Sequence, residues 1–212
     1  MKQYVDNDVL IKLASADLLS DFLVAFSIQP DDVYVLPSAE YYFKRSRVIS
    51  QRYDEATILR AVQFAKSATL INAGVSLIDT VDESEVALLS KIPDIDSGEA
   101  ILFAATHGQV DFLLTSGDKR ALVALVEAKS CKRIVKRLSG KVLSFEQVIV
   151  QLIEKAGFER VAKAVVSAKY CSDKTLKLVF SPQQGNSEVL VLGGLKSYVE
   201  DLRMNVDPLL RE

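Results

Sequence analysis

The chain has 212 residues, a formal net charge of −2 and 25% charged residues. That length suits one generous domain or one domain with an appendage, and the near-neutral charge excludes binding of nucleic acid by an overall basic field. Any such contact has to come from local basic patches. The start, Met1-Lys2-Gln3-Tyr4-Val5-Asp6, has no apolar signal core, and the longest uncharged run, 67–78, falls short of the ~20 residues of a membrane helix. Cys131 and Cys171 are too few and too distant for a zinc or disulfide framework, and each reads as a small core filler. A cytoplasmic protein without a membrane partner is expected.

In chain order, short β-rich runs alternate with segments of helical period. Strands are predicted at Gln3–Val5, Val33–Leu36, Val75–Ile78, Phe112–Thr115 and Val142–Leu143. Helices are predicted over Asp8–Ser15, Asp17–Phe26, Ser38–Ser50, Asp54–Ser67, Glu83–Lys91, Ser97–His107, Asp118–Glu127 and Ser130–Arg137. This alternation is that of an α/β fold, a parallel sheet with helices on both faces. The capping box Ser144-Phe145-Glu146-Gln147 opens a further helix that stops at Gly157, and Glu159–Ala168 forms the next. Pro182, Gly185 and Asn186 predict a break or hairpin within Ser172–Gly194, before a last helix of about Leu195–Met204 and a frayed tail. The core domain is expected to end near residue 150, with residues 151–212 a mainly helical extension.

Open α/β sheets bind ligands beyond the carboxyl ends of their strands. Acids stand at those places: Asp6 and Asp8 after the first strand, Glu40 after the second, Asp96 and Glu99 before the fourth, Asp118 after it. Gathered at one edge they repel one another unless cations lie among them, and an all-oxygen set suits magnesium or manganese. Each has a plainer use. Asp8 and Asp118 can cap helices, Asp96 with Glu99 fits a D-x-x-E capping box, and Glu40 can complement a helix dipole. Asp6 is harder to dismiss, because it directly extends an apolar strand, where an unpaired carboxylate is costly.

The ordered segments Asp6-Asn7-Asp8-Val9-Leu10-Ile11, Leu36-Pro37-Ser38-Ala39-Glu40, Asp96-Ser97-Gly98-Glu99-Ala100 and Leu113-Leu114-Thr115-Ser116-Gly117-Asp118-Lys119-Arg120-Ala121-Leu122 resemble the PIN-domain family over residues 1–150. The resemblance implies a three-layer α/β fold and a Mg2+- or Mn2+-dependent endoribonuclease, in many members the toxin of a toxin–antitoxin pair. It carries catalytic roles onto Asp6, Glu40, Glu99 and Asp118. Metal ligation falls to Asp6 and Asp118, to Glu99 or Asp96 in competition, and to Asp8 beside them. An acid often found shortly after the position of Asp118 is missing, since Lys119, Arg120 and Ala121 follow. One metal held firmly and a second weakly is one consequence. Another is a catalytically weak module that binds RNA or a protein through its C-terminal helices. The partners the resemblance implies are RNA and an antitoxin protein; the amphipathic helices after about Val150 either complete the core, form a homodimer or cover the metal cleft. A flavodoxin-like or receiver-like domain also gathers acids at strand ends, but offers no natural place for the Asp118 segment.

RNA contacts are expected from three basic groups. Lys129, Lys132, Arg133, Lys136 and Arg137 repeat at the spacing of one helix face, either a solvated face or a phosphate contact. Lys44, Arg45, Arg47 and Arg52 follow Tyr41, Tyr42 and Phe43, which are either core or a stacking surface for bases. Lys119 and Arg120 adjoin Asp118, within reach of a scissile phosphate. Thr115 either packs in its strand or holds a water or phosphate oxygen. His107, before Gly108, is expected to cap a helix end. There is no G-x-S-x-G, Walker loop, G-x-G-x-x-G or H-E-x-x-H, which removes the commonest hydrolase, kinase and dehydrogenase readings.

Overall fold

Alternation of side chains along the strands builds two apolar layers from one sheet. Val5, Val33, Val35, Leu113 and Leu143 enter one core, and Tyr4, Phe112, Leu114 and Val142 enter the other. The computed structural model describes residues 1–71, 81–168, 173–181 and 187–212. Its strands are β1 (Lys2–Val5), β2 (Val33–Val35), β3 (Thr69–Leu70), β4 (Phe112–Ser116) and β5 (Val142–Ser144), in the order β3-β2-β1-β4-β5 with every pairing parallel. The helices are α1 (Asn7–Ser15), α2 (Leu19–Phe26), α3 (Ala39–Arg45), α4 (Arg47–Arg52), α5 (Glu55–Ser67), α6 (Glu83–Leu89), α7 (Ser97–Ala104), α8 (Lys119–Glu127), α9 (Lys132–Leu138), α10 (Phe145–Ala156), α11 (Phe158–Ser167), α12 (Lys174–Val179) and α13 (Glu188–Val206). Residues of α1–α5 and α10–α12 share the first core, and residues of α6–α9 the second. The fold is the expected three-layer α/β arrangement with a helical C-terminal part. None of these helices is long and apolar enough to cross a membrane.

The C-terminal part is packed into both layers. Val191 and Leu195 of α13 join the first core, while Val199, Leu202 and Val206 join the second, so this helix passes across the β5 edge. The tail is docked there rather than frayed. Leu209 and Leu210 are buried, the Val142 amide donates to the Leu209 carbonyl (3.1 Å), and the Arg211 amide donates to the Val142 carbonyl (2.9 Å). Edge backbone groups that would otherwise invite another strand are thereby satisfied.

Other differences have local causes. The helix predicted over Ser38–Ser50 is broken at Ser46, whose hydroxyl accepts from the Ile49 amide and starts α4. The segment expected as a break contains α12, capped by Asp173, and α13 begins at Glu188, well before Leu195. Thr69–Leu70 forms a strand that sequence pattern did not single out. The predicted strand Val75–Ile78, Cys171 and the Pro182–Asn186 turn lie outside the described residues.

Candidate metal centre

The strand order reverses between β1 and β4, so the crevice beyond their carboxyl ends is where such a sheet takes a ligand. A cleft of about 740 Å³ lies there, lined by Asp6, Asp8, Asp96, Glu99 and Asp118 together with Asn7, Tyr42, Arg52, Gly117, Lys119 and Arg120. A second groove, of about 650 Å³, lies between α2, α10 and α13. There Glu154, Glu200 and Glu212 are balanced by Lys196, Arg203 and Arg211. The first instead carries an excess of acids at the strand ends, with Arg52, Lys119 and Arg120 beside them.

Asp6 is the N-cap residue of α1, and the Asp8 amide lies near its carboxylate without the geometry of a capping bond; the Asp6 amide donates to the Thr115 carbonyl (3.0 Å), extending the β1–β4 pairing past the strand. Burial pushes its carboxyl up to about 7 although part of the residue meets solvent, and the charges of Asp8 and Asp96 add to the effect against the amides of Asp8 and Gly117. Glu99 is 8% exposed, and burial pushes it up to about 8, helped by Asp96, Asp118 and Asp6 against the Asp96 amide. The expected capping box is real: the Glu99 amide donates to Asp96 Oδ1 (2.9 Å) and the Asp96 amide to Glu99 Oε2 (2.6 Å). Asp118 Oδ1 accepts from the amides of Arg120 (2.9 Å) and Ala121 (3.1 Å), capping α8. Capping and gathering at the cleft are therefore not competing roles, because the caps are what fix these acids at its wall.

Gly117 lies close against the Asp8 side chain at the start of α1. A Cβ there would lie 2.6 Å from Asp8 Oδ2. That same oxygen is 2.6 Å from Lys12 Nζ, which also donates to Asp173 Oδ2 at 2.8 Å. Burial works against the Lys12 charge, but Asp8 and Asp173 outweigh it and hold the ammonium above its ordinary range. Sequence reasoning missed Lys12. The i, i+4 spacing from Asp8 was the available signal; Asp173 had none.

Glu40 is not brought to this cleft. Its carboxylate pairs with Lys44 (2.5 Å) and Lys66 (3.6 Å) on an exposed surface, and the Lys44 hydrogen bond holds it below its usual range. Glu40→Gln is therefore expected to change any cleavage rate by less than about fivefold, as for an exposed ion pair; a larger loss in a kinetic assay would return Glu40 to the site. Thr115 is also internal: its hydroxyl accepts from Gln3 Nε2 (2.7 Å) with no exposed surface, so it reaches neither water nor phosphate in the cleft. His107 does not cap a helix end but pairs through Nδ1 with Glu85 (2.9 Å) and Asp82 (3.5 Å).

The basic groups divide. Lys119 is tied to buried Glu146 (2.6 Å) at the cleft wall, whereas the Arg120 side chain is 79% exposed there. Phe43 is core, while Tyr41 and Tyr42 are exposed and Tyr42 lines the cleft beside Arg52. Lys44 is engaged by Glu40, and Arg45 is exposed. Lys129, Lys132, Arg133 and Lys136 are exposed, but Arg137 is withdrawn from that face. Its guanidinium grips Glu85 through two bonds (2.7 and 2.6 Å), and its Nε donates to Thr106 Oγ1 (3.0 Å). Arg137→Met takes both guanidinium bonds from Glu85 and leaves it His107, and should lower stability by ~2 kcal/mol, about 4–8 °C in melting temperature. An unchanged melting curve would contradict the structural role.

No protein-family model, no curated protein and no solved structure matches this chain. Among the described residues, no three acidic, histidine or cysteine side chains are gathered closely enough to hold a metal ion as they stand. In kind, the donors fit a hard divalent cation. All are oxygens, two carboxyls are held up by burial and by neighbouring negative charge, and Asn7 lines the cleft and has a buried Oδ1 without a hydrogen-bond partner. Asp118 pairs with Arg120 (3.6 Å), while Asp6, Asp96 and Glu99 are the acids of the cleft without a basic partner among the described residues.

Proposed function

We propose that the protein is a PIN-like endoribonuclease that hydrolyses RNA phosphodiester bonds with Mg2+ or Mn2+, acting in the cytoplasm in the manner of a toxin from a toxin–antitoxin pair. The observation that carries this reading is the meeting of Asp6, Asp96, Glu99 and Asp118 in one cleft at the reversal point of the sheet, with two of these carboxyls raised. Asp6 and Asp118, from the ends of adjacent strands, are the residues to hold the ion, with Glu99 and Asp96 completing its shell or orienting water. When bound, the ion would polarise water for attack on phosphorus. Arg120, now paired with Asp118, and Arg52 line the cleft and would bind the scissile phosphate, Lys119 is held by Glu146 beside them, and the Tyr42 ring would stack a base. Lys129, Lys132, Arg133 and Lys136 supply a second, exposed strip for the phosphate backbone.

Two observations favour a second reading, a catalytically weak PIN-like module that binds RNA or protein: Asp8 is neutralised by Lys12, and Glu40 stands outside the cleft. The two are separated by incubating purified protein with a labelled, structured RNA in Mn2+, in Mg2+ and in EDTA. Metal-dependent cleavage supports the nuclease; tight RNA binding without cleavage in either ion supports the module.

A further inference from the structure

We propose that the ammonium of Lys12 occupies the place of a second cation, so that the acidic cleft takes a single divalent ion per chain. The inference rests on the metal-site reading above and concerns how many ions that site holds. Lys12 Nζ lies between two carboxylate oxygens, 2.6 Å from Asp8 Oδ2 and 2.8 Å from Asp173 Oδ2, with its side chain only 10% exposed and the Phe145 ring centre 5.0 Å away. One positive charge thus already bridges Asp8, which lines the cleft, and Asp173, which stands outside its lining, and the face of an aromatic ring supplies a third favourable neighbour.

Hydrolases that use two ions set them about 3.5–4 Å apart, bridged and flanked by carboxylates. In this cleft Asp8 is the acid nearest in sequence to Asp6 that could flank a second ion, and it is the one that Lys12 has taken. A divalent ion drawing on Asp8 would leave a buried ammonium with Asp173 as its only carboxylate and a double positive charge close by. Lys12 therefore selects against the second ion while leaving Asp6, Asp96, Glu99 and Asp118 to the first.

Asp173 has a second task that links the site to the C-terminal segment. Its Oδ1 accepts from the Leu176 amide (3.0 Å) and starts α12, while its Oδ2 holds Lys12. The segment after α11 thus holds one side of Lys12 and is linked to the cleft through the Lys12–Asp8 pair.

The test counts Mn2+ ions per chain by electron paramagnetic resonance titration, with circular dichroism as a check on folding. The parent is expected to bind one ion, Lys12→Met two, and Lys12→Met with Asp8→Asn one again. Two ions on the parent, one ion on folded Lys12→Met, or two retained by the double variant would each overturn the inference. If Lys12→Met does not fold, Asp8→Asn alone decides: one ion retained supports the inference, and loss of the ion shows that Asp8 ligates it and overturns the inference. A parent that binds no Mn2+ at all instead overturns the metal reading beneath it.

Discussion

Asp6→Asn is expected to lower metal-dependent RNA cleavage by about 10³-fold, the several kcal/mol that a correctly held ion contributes to the transition state. The substitution keeps the shape of the side chain and leaves the backbone link from Asp6 to Thr115 intact, so the loss should come without unfolding. It removes charge where burial and Asp8 already oppose it, so the metal-free variant should be at least as stable as the parent at neutral pH. Asp118→Asn makes a matching test. Asn caps helices as well as Asp, so the start of α8 survives while the charge is lost. Initial rates on one labelled RNA for both variants, beside their melting curves, separate chemistry from folding. Rates within a few fold of the parent would remove Asp6 and Asp118 from the mechanism.

The metal-free protein should lose stability as pH rises from about 5 to about 8, and Mn2+ should restore it at the upper end. For Asp6 the unfolded chain ionises near 3.8 and the folded chain near 7; for Glu99 the corresponding values are 4.5 and about 8. Between each pair the folded state keeps a proton that the unfolded state has released, so stability falls with pH across the window and levels off above it. The Asp6 charge helps raise Glu99 and part of Asp6 meets solvent, so the two shifts do not add, and the expected drop is on the order of 2–3 kcal/mol, roughly 5–10 °C in melting temperature. A divalent ion binds the ionised carboxylates and removes the penalty, so its stabilisation should grow with pH. The difference between parent and Asp6→Asn isolates the Asp6 share from other titrations such as Glu85, which lies below its ordinary range. A melting temperature that is flat or rising over this window, or an Mn2+ effect independent of pH, would contradict the charge account.

Much of the fold was legible because short parallel strands and amphipathic helices have distinct periods. The runs 3–5, 112–115 and 142–143 needed only an end residue or two adjusted to become β1, β4 and β5, and the Ser144 capping box opens α10 as expected. What escaped notice depends on contacts far apart in sequence. The two-residue strand β3 carries almost no pattern, and the docking of Leu209 and Leu210 on β5 requires a partner about 70 residues away. In the cleft, the acids following β1 and β4 could be placed by rule, because topology puts strand ends together. The direction taken by Glu40 could not, since a helix turn offers it either the cleft or Lys44 at i+4, and the lysine pair forms. Arg137 fits the basic repeat in spacing but faces Glu85 and Thr106, which sequence separation of 31 or more residues conceals. Lys12 and Asp173 show the same limit at the site itself.

The most direct test of the acidic cleft as the cation site is cleavage of the protein by its own bound metal. Fe2+ in place of Mg2+, with ascorbate and peroxide, releases hydroxyl radicals that cut the backbone beside the ion. Cuts confined to the neighbourhoods of Asp6, Asp96–Glu99 and Gly117–Asp118, and suppressed by excess Mg2+, are the predicted result. Cuts elsewhere, or a pattern unchanged by Mg2+ or by Asp6→Asn, would contradict it.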